Sequence, residues 1–243
     1  MDEYTQETYG AEWAAEYDEF HAELDPTPIV DTIAELAGGG PVLELAIGTG
    51  RISLPLAERG VDIHGVDISD EMVARLREKP GGADIPVTMG DFSEVDYGGT
   101  FPLIFLAFNT IFGLETQDDQ VRLFANVARH LTADGIFVLE AFVPDLTRYV
   151  RDQNISVLKV ERDSVDLDLT RHDPVGQRID VQVATVGVGG TKLRPVRLRY
   201  AFPPELDLMA RLADLRLRER WSGWRREEFG PRSTSHVSVY ERT

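Results

Sequence analysis

The sequence predicts an α/β fold: a parallel sheet wound with helices, followed by an antiparallel β insert. Three observations lead there. Residues 41–50, Pro41-Val-Leu-Glu-Leu-Ala-Ile-Gly-Thr-Gly50, form an apolar strand that breaks into a glycine turn and runs into a helical segment. Through the first 143 residues, apolar runs of strand length alternate with segments of helical period, giving five strand–helix steps. After Pro144 the pattern switches to short alternating runs punctuated by turns.

In chain order, residues 27–37 read as a short amphipathic helix opening on Pro26 and Pro28 and ended by Gly38-Gly39-Gly40. The first strand and its glycine turn follow, and 51–60 reads as a helix. The second strand covers 61–67, and Ser69 is the expected N-cap of the next helix, with Asp70 and Glu71 in its first turn. A third apolar segment, 85–89, ends in Gly90-Asp91-Phe92. Residues 102–107 are a continuous apolar run, as expected of a strand buried on both faces. Val121, Phe124, Val127, Ala128 and Leu131 recur at helical spacing, and Asp134-Gly135 is expected to turn into a fifth strand over 136–142. Antiparallel strands are expected over 157–162, 165–171, 178–186 and 193–200, with turns at Asp173-Pro174-Val175-Gly176 and Gly189-Gly190. A helix over 204–213 and strands over 215–220 and 236–242 complete the reading.

The first thirty residues are too aromatic for a solvated tail. Tyr9, Trp13, Tyr17 and Phe20 fall at helical spacing, so they share one helix face, which must cover something. The expected organisation is a helical segment over 1–28, an α/β core over 29–150, an antiparallel β insert over 151–203, and completion of the core sheet by 204–243.

Composition narrows the function classes. A net charge of −17, from 42 acidic against 25 basic residues, repels phosphate backbones and argues against nucleic acid as a partner. No segment reaches the ~20 consecutive apolar residues of a membrane span, and the acidic N-terminus does not resemble a signal peptide, so a soluble, cytoplasmic protein is expected. The chain has no cysteine, which excludes disulfides, a thiolate nucleophile and zinc–thiolate sites. Its five histidines, His21, His64, His130, His172 and His236, show no metal-ligand spacing, so no metal site is expected. Neither a G-x-S-x-G elbow nor a Walker lysine motif is present.

The strand–turn–helix at 41–60 suits a nucleoside. Gly48 and Gly50 let the backbone approach a ligand where a Cβ would clash, and Asp67 lies 17 residues beyond Gly50, near the ~20-residue spacing at which a carboxylate meets a ribose diol. A dinucleotide fingerprint aligned on Gly48 and Gly50 needs a third glycine at 53, where this chain has Ser53, and no Tyr-x-x-x-Lys pair is present. Glu44 inside the first strand is poorly placed beside a pyrophosphate and suits a ligand with a cationic centre. Asp91 is placed to take an amino group from adenine.

On these residues, the ELAIGTG turn (Glu44 to Gly50), the VDIS run holding Asp67, and Gly90-Asp91-Phe92, the chain resembles a class I S-adenosylmethionine-dependent methyltransferase. The likeness is strong over about residues 30–150. It implies a Rossmann-like, seven-stranded, mostly parallel sheet whose last strand is antiparallel, and S-adenosyl-L-methionine as cofactor, released as S-adenosyl-L-homocysteine. It implies that the turn holds the methionine half, with Ala46 where many members have glycine. Asp67 would bind the ribose hydroxyls, Ile68 and Met72 would flank adenine, and Asp91 with Phe92 would read its edge. It also implies that Tyr17, from a lid formed by the N-terminal helix, contacts the methionyl portion, with Tyr9 nearer the acceptor. The insert would shape the acceptor pocket or an oligomer contact. Arg51 is a candidate for the cofactor carboxylate, against the alternative of a solvated arginine at a helix start.

Acceptor-side candidates sit at the ends of the fourth and fifth strands. Phe108, Asn109 and Phe112 follow the fourth, and Glu140 closes the fifth. Asn109 is a candidate to accept a hydrogen bond from an amine, or else caps a loop; Phe112 is a candidate apolar wall. Glu140 would hold an ammonium or take its proton, against an ordinary strand-end carboxylate. The run Phe108-Asn-Thr-Ile-Phe-Gly-Leu114, the run Glu140-Ala-Phe-Val-Pro-Asp-Leu146 and the insert are similar to antibiotic-tailoring N-methyltransferases acting on lincosamide and amino-sugar substrates. The resemblance therefore implies methyl transfer to an amine of a small natural product. O-methylation, non-catalytic nucleoside binding and NAD-dependent oxidoreduction are the alternatives.

Overall fold

In the computed structural model, which describes residue 4 and residues 6–243, the aromatic N-terminal segment forms α1 (Gln6–Trp13) and α2 (Tyr17–Phe20), followed by α3 (Thr27–Ala37). Residues 1–3 and 5 of the predicted N-terminal segment lie outside the described residues. The single helix expected to carry Tyr9, Trp13, Tyr17 and Phe20 is instead divided by a turn at 14–16. The aromatic rings still meet: Tyr9 stacks on Trp13 at 5.7 Å and Trp13 meets Phe20 edge-on at 5.0 Å. The break serves two attachments. Glu16 pairs with Lys192 and Arg194, while Asp18 turns the other way, accepting from Thr49 Oγ1 at 2.6 Å and pairing with Lys79 at 2.6 Å.

The core then alternates β1 (Val42–Leu45), α4 (Ser53–Glu58), β2 (Ile63–Asp67), α5 (Asp70–Glu78), β3 (Val87–Met89), β4 (Phe101–Leu106), α6 (Gln117–His130) and β5 (Leu131–Phe142). Ser69 caps α5 by accepting from Met72 N at 3.2 Å, and Thr116 and Asp119 form a capping box on α6. In α6, Leu123, Phe124 and Val127 are fully buried and Val121 is partly buried against the same cluster. Asp134-Gly135 is not a turn before β5. Strand pairing begins at Leu131 opposite Phe101 and resumes at Ile136 opposite Leu103, so 132–135 bulge out opposite Pro102, which has no N–H to donate to the ladder.

The insert is a sheet of four antiparallel strands, β6 (Gln153–Val160), β7 (Ser164–Asp173), β8 (Arg178–Gly187) and β9 (Gly190–Arg199). Its first strand starts four residues earlier than the alternation indicated. α7 (Pro203–Leu212), β10 (Leu215–Trp221) and β11 (Ser235–Arg242) return to the core. The main sheet runs β10-β11-β5-β4-β1-β2-β3, with β11 antiparallel to both neighbours and the β1–β5 pairings parallel. The order reverses between β4 and β1, which places the ligand crevice at their C-terminal ends. Among the described residues no helix is long and apolar enough to cross a membrane.

One face of the insert packs on the core through Ile179, Val181 and Val183 of β8, with Val196 and Leu198 of β9 against the same cluster. Its base is fastened by buried Arg199, whose guanidinium donates to Gln120 Oε1 of α6 at 2.6 Å and Glu205 Oε1 of α7 at 2.8 Å. The main core packs α1 just as closely, because Gly10 lies directly on Ser69 and Met72 at the start of α5. A Cβ there would overlap the Ser69 side chain. Gly10→Ala is expected to weaken docking of the N-terminal segment by about 1–3 kcal/mol, the usual cost of overpacking. Hydrogen exchange should speed up in α1 and α2 while thermal unfolding of the core stays unchanged.

Candidate active site

β1 is buried along its whole length, and Glu44 is buried with it. The chain leaves the strand through three left-handed residues, Ala46 (φ 56°), Gly48 (φ 56°) and Gly50 (φ 79°). Ala46 carries a Cβ in that region, at a cost of about 1 kcal/mol that glycine would avoid. The turn is held from β2. Asp67 Oδ2 accepts from Gly48 N at 2.7 Å and its Oδ1 from Ser69 N at 2.9 Å. Burial raises the Asp67 pKa, and these N–H groups oppose the rise.

A small cleft of about 40 Å³ opens over this turn, lined among others by Tyr17, Glu44, Ala46, Gly48, Arg51 and Phe108. Burial pushes Glu44 up to about 8; the Ser53 hydroxyl, which donates to Glu44 Oε2, and the nearby Arg51 charge oppose it. The Arg51 guanidinium lies 4.8 Å from the Phe108 ring centre and bonds the Tyr17 phenol, while its Nε is buried without a hydrogen-bond partner. Arg51 is therefore inside the cleft, not solvated at a helix start; the helix itself begins at Ser53, two residues later than the pattern suggested. The Tyr17 phenol pKa is raised by burial, and that of Tyr9 is raised well above its ordinary value for the same reason.

The structure separates the predicted site residues into three groups. Tyr17, Glu44, Ala46, Gly48, Arg51 and Phe108 share the cleft, and Asp67 reaches it through Gly48. Gly50, with its left-handed φ, closes the turn. Ile68, Met72, Asp91 and Phe92 lie outside the cleft lining, on the β2 and β3 side. Met72 and Phe92 are buried in the cluster that contains Trp13, and Asp91 Oδ1 accepts from Ser93 N at 2.7 Å.

The third group corrects two expectations. Asn109 does not offer its side-chain oxygen to a ligand, because Oδ1 accepts from Phe142 N at 2.6 Å. It occupies a left-handed conformation (φ 63°) and braces β4 against β5, the loop-capping alternative. Phe112 is no pocket wall: it is fully buried and packs edge-on against Phe142 at 4.7 Å. Glu140 is nearer to its expected place, with Oε2 accepting from Phe108 N at 2.7 Å and a further bond to the Trp224 side chain; burial raises its pKa.

Four residues of this region escaped sequence reasoning. His21 meets the rings of Tyr17 at 4.5 Å and Phe108 at 5.2 Å, and burial, with the Arg51 charge, lowers it to about 4, leaving it neutral at physiological pH. Asp18 and Thr49 clasp α2 to the glycine turn, and Lys79 completes the clasp by donating to Thr49 O at 2.8 Å. Burial opposes ionisation of Asp18, but Lys79 and Thr49 hold its pKa below the ordinary value. The only sequence signal was Asp18 and His21 flanking the aromatic face; the partners come from 30 or more residues away.

The chain is similar to known methyltransferases. Residues 42–135 match a methyltransferase domain family. The CcbJ methyltransferase from Streptomyces caelestis is 37% identical, covers 99% of this chain and 100% of its own, and superposes with a TM-score of 0.93. The cypemycin N-terminal methyltransferase of Streptomyces sp is 28% identical over 84% of each chain. A dTDP-4-amino-2,3,4,6-tetradeoxy-D-glucose N,N-dimethyltransferase from Saccharopolyspora spinosa is 30% identical over 54% of this chain and 49% of its own. These likenesses remove the oxidoreductase alternative. The chain therefore belongs to the class I S-adenosylmethionine-dependent methyltransferases.

Proposed function

We propose that this enzyme transfers the methyl group of S-adenosylmethionine to an amine nitrogen of a small natural product. The observation that carries the amine is that each candidate base of the described crevice is either engaged by hydrogen bonds within the chain or weak. Glu140 is engaged by Phe108 N–H and Trp224, Glu44 by Ser53, and His21 is a weak base at about 4. A hydroxyl acceptor usually needs a positioned base, whereas an amine needs only to shed a proton before or after attack. Two similar proteins are named for methylation at nitrogen, the cypemycin N-terminal and the amino-sugar N,N-dimethyltransferases.

The residues present fit the cofactor. The left-handed turn exposes backbone to a ligand, and the buried carboxylates of Glu44 and Asp67 offer acceptors to an ammonium and to ribose hydroxyls. Arg51, with its unpartnered Nε, suits a carboxylate. When bound, S-adenosylmethionine supplies an electrophilic methyl group on a cationic sulfur. The chain's own contribution is placement: aromatic faces at Tyr9, Trp13, Tyr17 and Phe108 exclude water and suit positive charge, and Tyr17 is steadied by Arg51. Ile68, Met72, Asp91 and Phe92 are assigned to the adenine end and Tyr9 to the acceptor end. The segment 1–28 acts as a lid in this reading.

The raised pKa of Glu44 makes cofactor binding pH-dependent. Folding favours its protonated form, so its contribution to stability is present below the ordinary carboxylate range and is lost as pH rises to about 8. A cationic ligand reverses that preference and expels the proton. Affinity for S-adenosylmethionine is expected to climb by up to about tenfold per pH unit below that pKa. Glu44→Gln should remove this part of the slope in calorimetric titrations; an identical slope in both proteins would remove Glu44 from the binding set.

For the two phenols, Tyr17→Phe is expected to lower turnover only several-fold, because Arg51 keeps the Phe108 face as a partner. Tyr9→Phe should cost more, about tenfold or beyond, if it aligns the acceptor. Equal and negligible losses in steady-state kinetics would return both rings to packing. Methylation confined to hydroxyls across an acceptor panel would overturn the choice of nitrogen.

A further inference from the structure

We propose that the core-facing side of the insert carries a subsite for a hydroxyl group of the acceptor, with the Asp168 carboxylate as its hydrogen-bond acceptor. The inference rests on the methyl-transfer reading and names a feature of the acceptor. Register across the insert puts Ser156, Asp168, Val183 and Arg194 in one row on one face, since paired residues share a face. This is the inward face, because Val183 is buried in the main core and Arg194 lies 5.3 Å from the Trp13 ring.

The N-terminal segment spans this face from edge to edge. Glu16 pairs with Lys192 and Arg194 on β9, and Glu23 pairs with Lys159 on β6 at 3.5 Å. Asp168, on β7, lies between those two attachments. From the core side, the segment leaving β5 brings Arg148 to Asp168 Oδ2 at 3.6 Å and to Ser156 Oγ at 3.2 Å, and stacks Tyr149 on His172 at 4.5 Å. Asp168 is thus enclosed by the insert, the strand-five exit and the attachments of the N-terminal segment to β6 and β9.

Within this enclosure the second oxygen, Asp168 Oδ1, is buried and has no hydrogen-bond partner. A buried carboxylate oxygen without a donor is costly, and its neighbour avoids that cost: Asp166 on the same face accepts from Thr185 Oγ1 at 2.6 Å. The missing partner is therefore a donor supplied by a ligand. Arg148 already balances the carboxylate charge through Oδ2, so a neutral O–H satisfies Oδ1 without adding an uncompensated charge, which a second ammonium would bring. The acceptor class that fits is an amine bearing hydroxyls, with the reacting nitrogen at the cleft and a hydroxyl at the insert.

The test uses the full chain saturated with S-adenosylhomocysteine, titrated calorimetrically with glucosamine and with cyclohexylamine, a six-membered-ring amine without hydroxyls. The intact enzyme should bind glucosamine about tenfold more tightly or better, as expected for satisfying one buried acceptor. Asp168→Leu should abolish that preference, and Asp168→Asn, which keeps an oxygen, should retain part of it. S-adenosylhomocysteine affinity and melting temperature should not fall in the Asn variant, which serves alone if the Leu variant does not fold. Equal affinity for the two amines, no binding of glucosamine, or a preference untouched by either substitution would overturn the subsite. Mass spectrometry of products keeps the two readings apart. Methylation at oxygen with an Asp168-dependent preference overturns only the amine reading, whereas N-methylation without that preference overturns only the subsite.

Discussion

The carboxylate of Asp67, accepting from the N–H groups of Gly48 and Ser69, is the constraint on which the rest of the site depends. It ties the end of β2 to the turn after β1 and to the start of α5, adding to the β1–β2 pairing and the Ile47 N–H bond to Val66 O. Because the turn passes through three left-handed residues, one of them Ala46, it stores local strain that must be met by such a tether. Burial makes the tether stronger, since no water competes for the carboxylate, and it also raises the pKa of that carboxylate. The same low-polarity setting explains Glu44, whose proton is retained up to about 8 unless a positive group arrives.

Around that turn, the N-terminal segment works as an ionic bridge between two sheets. Asp18 fastens it to the glycine turn through Thr49 and Lys79, and Glu16 fastens it to β9. Exposed ion pairs contribute little individually, but here the acids lie a short helical stretch apart and the basic partners lie on the insert sheet and at the end of α5. Closing the segment therefore couples the position of the insert to the position of the cofactor turn. Aromatic packing of Trp13, Phe20 and His21 fills the space between, so the closed arrangement is apolar inside and charged at its margins.

Most of the fold was legible along the chain. The alternation of apolar runs with helical segments, the Ser69 cap and the turns at Asp173 and Gly189 each state a local preference that the structure realises at the same place, with ends displaced by a few residues. The exceptions have causes in distant parts of the chain that pattern reading misses. Pro102 forces a bulge opposite Asp134-Gly135, and the pull of Glu16 toward β9 divides the aromatic helix in two. Asn109 and Phe112 stood at the expected strand end, but strand-end position alone does not say where a side chain points. Asn109 turned out to serve Phe142 N–H, and Phe112 was absorbed by the core.

By itself, the sequence determined the order of the elements, the glycine turn and the acidic residues in or just after β1, β2 and β3, because each depends on contacts within a few residues or on a short spacing. Tertiary structure decided which of these groups share a cleft, which are buried deeply enough to change their ionisation, and which stand alone. Arg51 over Phe108, His21 between aromatic rings and Asp168 with one unpaired oxygen are all products of contacts between distant segments. The physical reason is that hydrogen-bond satisfaction and desolvation are properties of an enclosed volume, and a volume is enclosed only when separate parts of the chain come together.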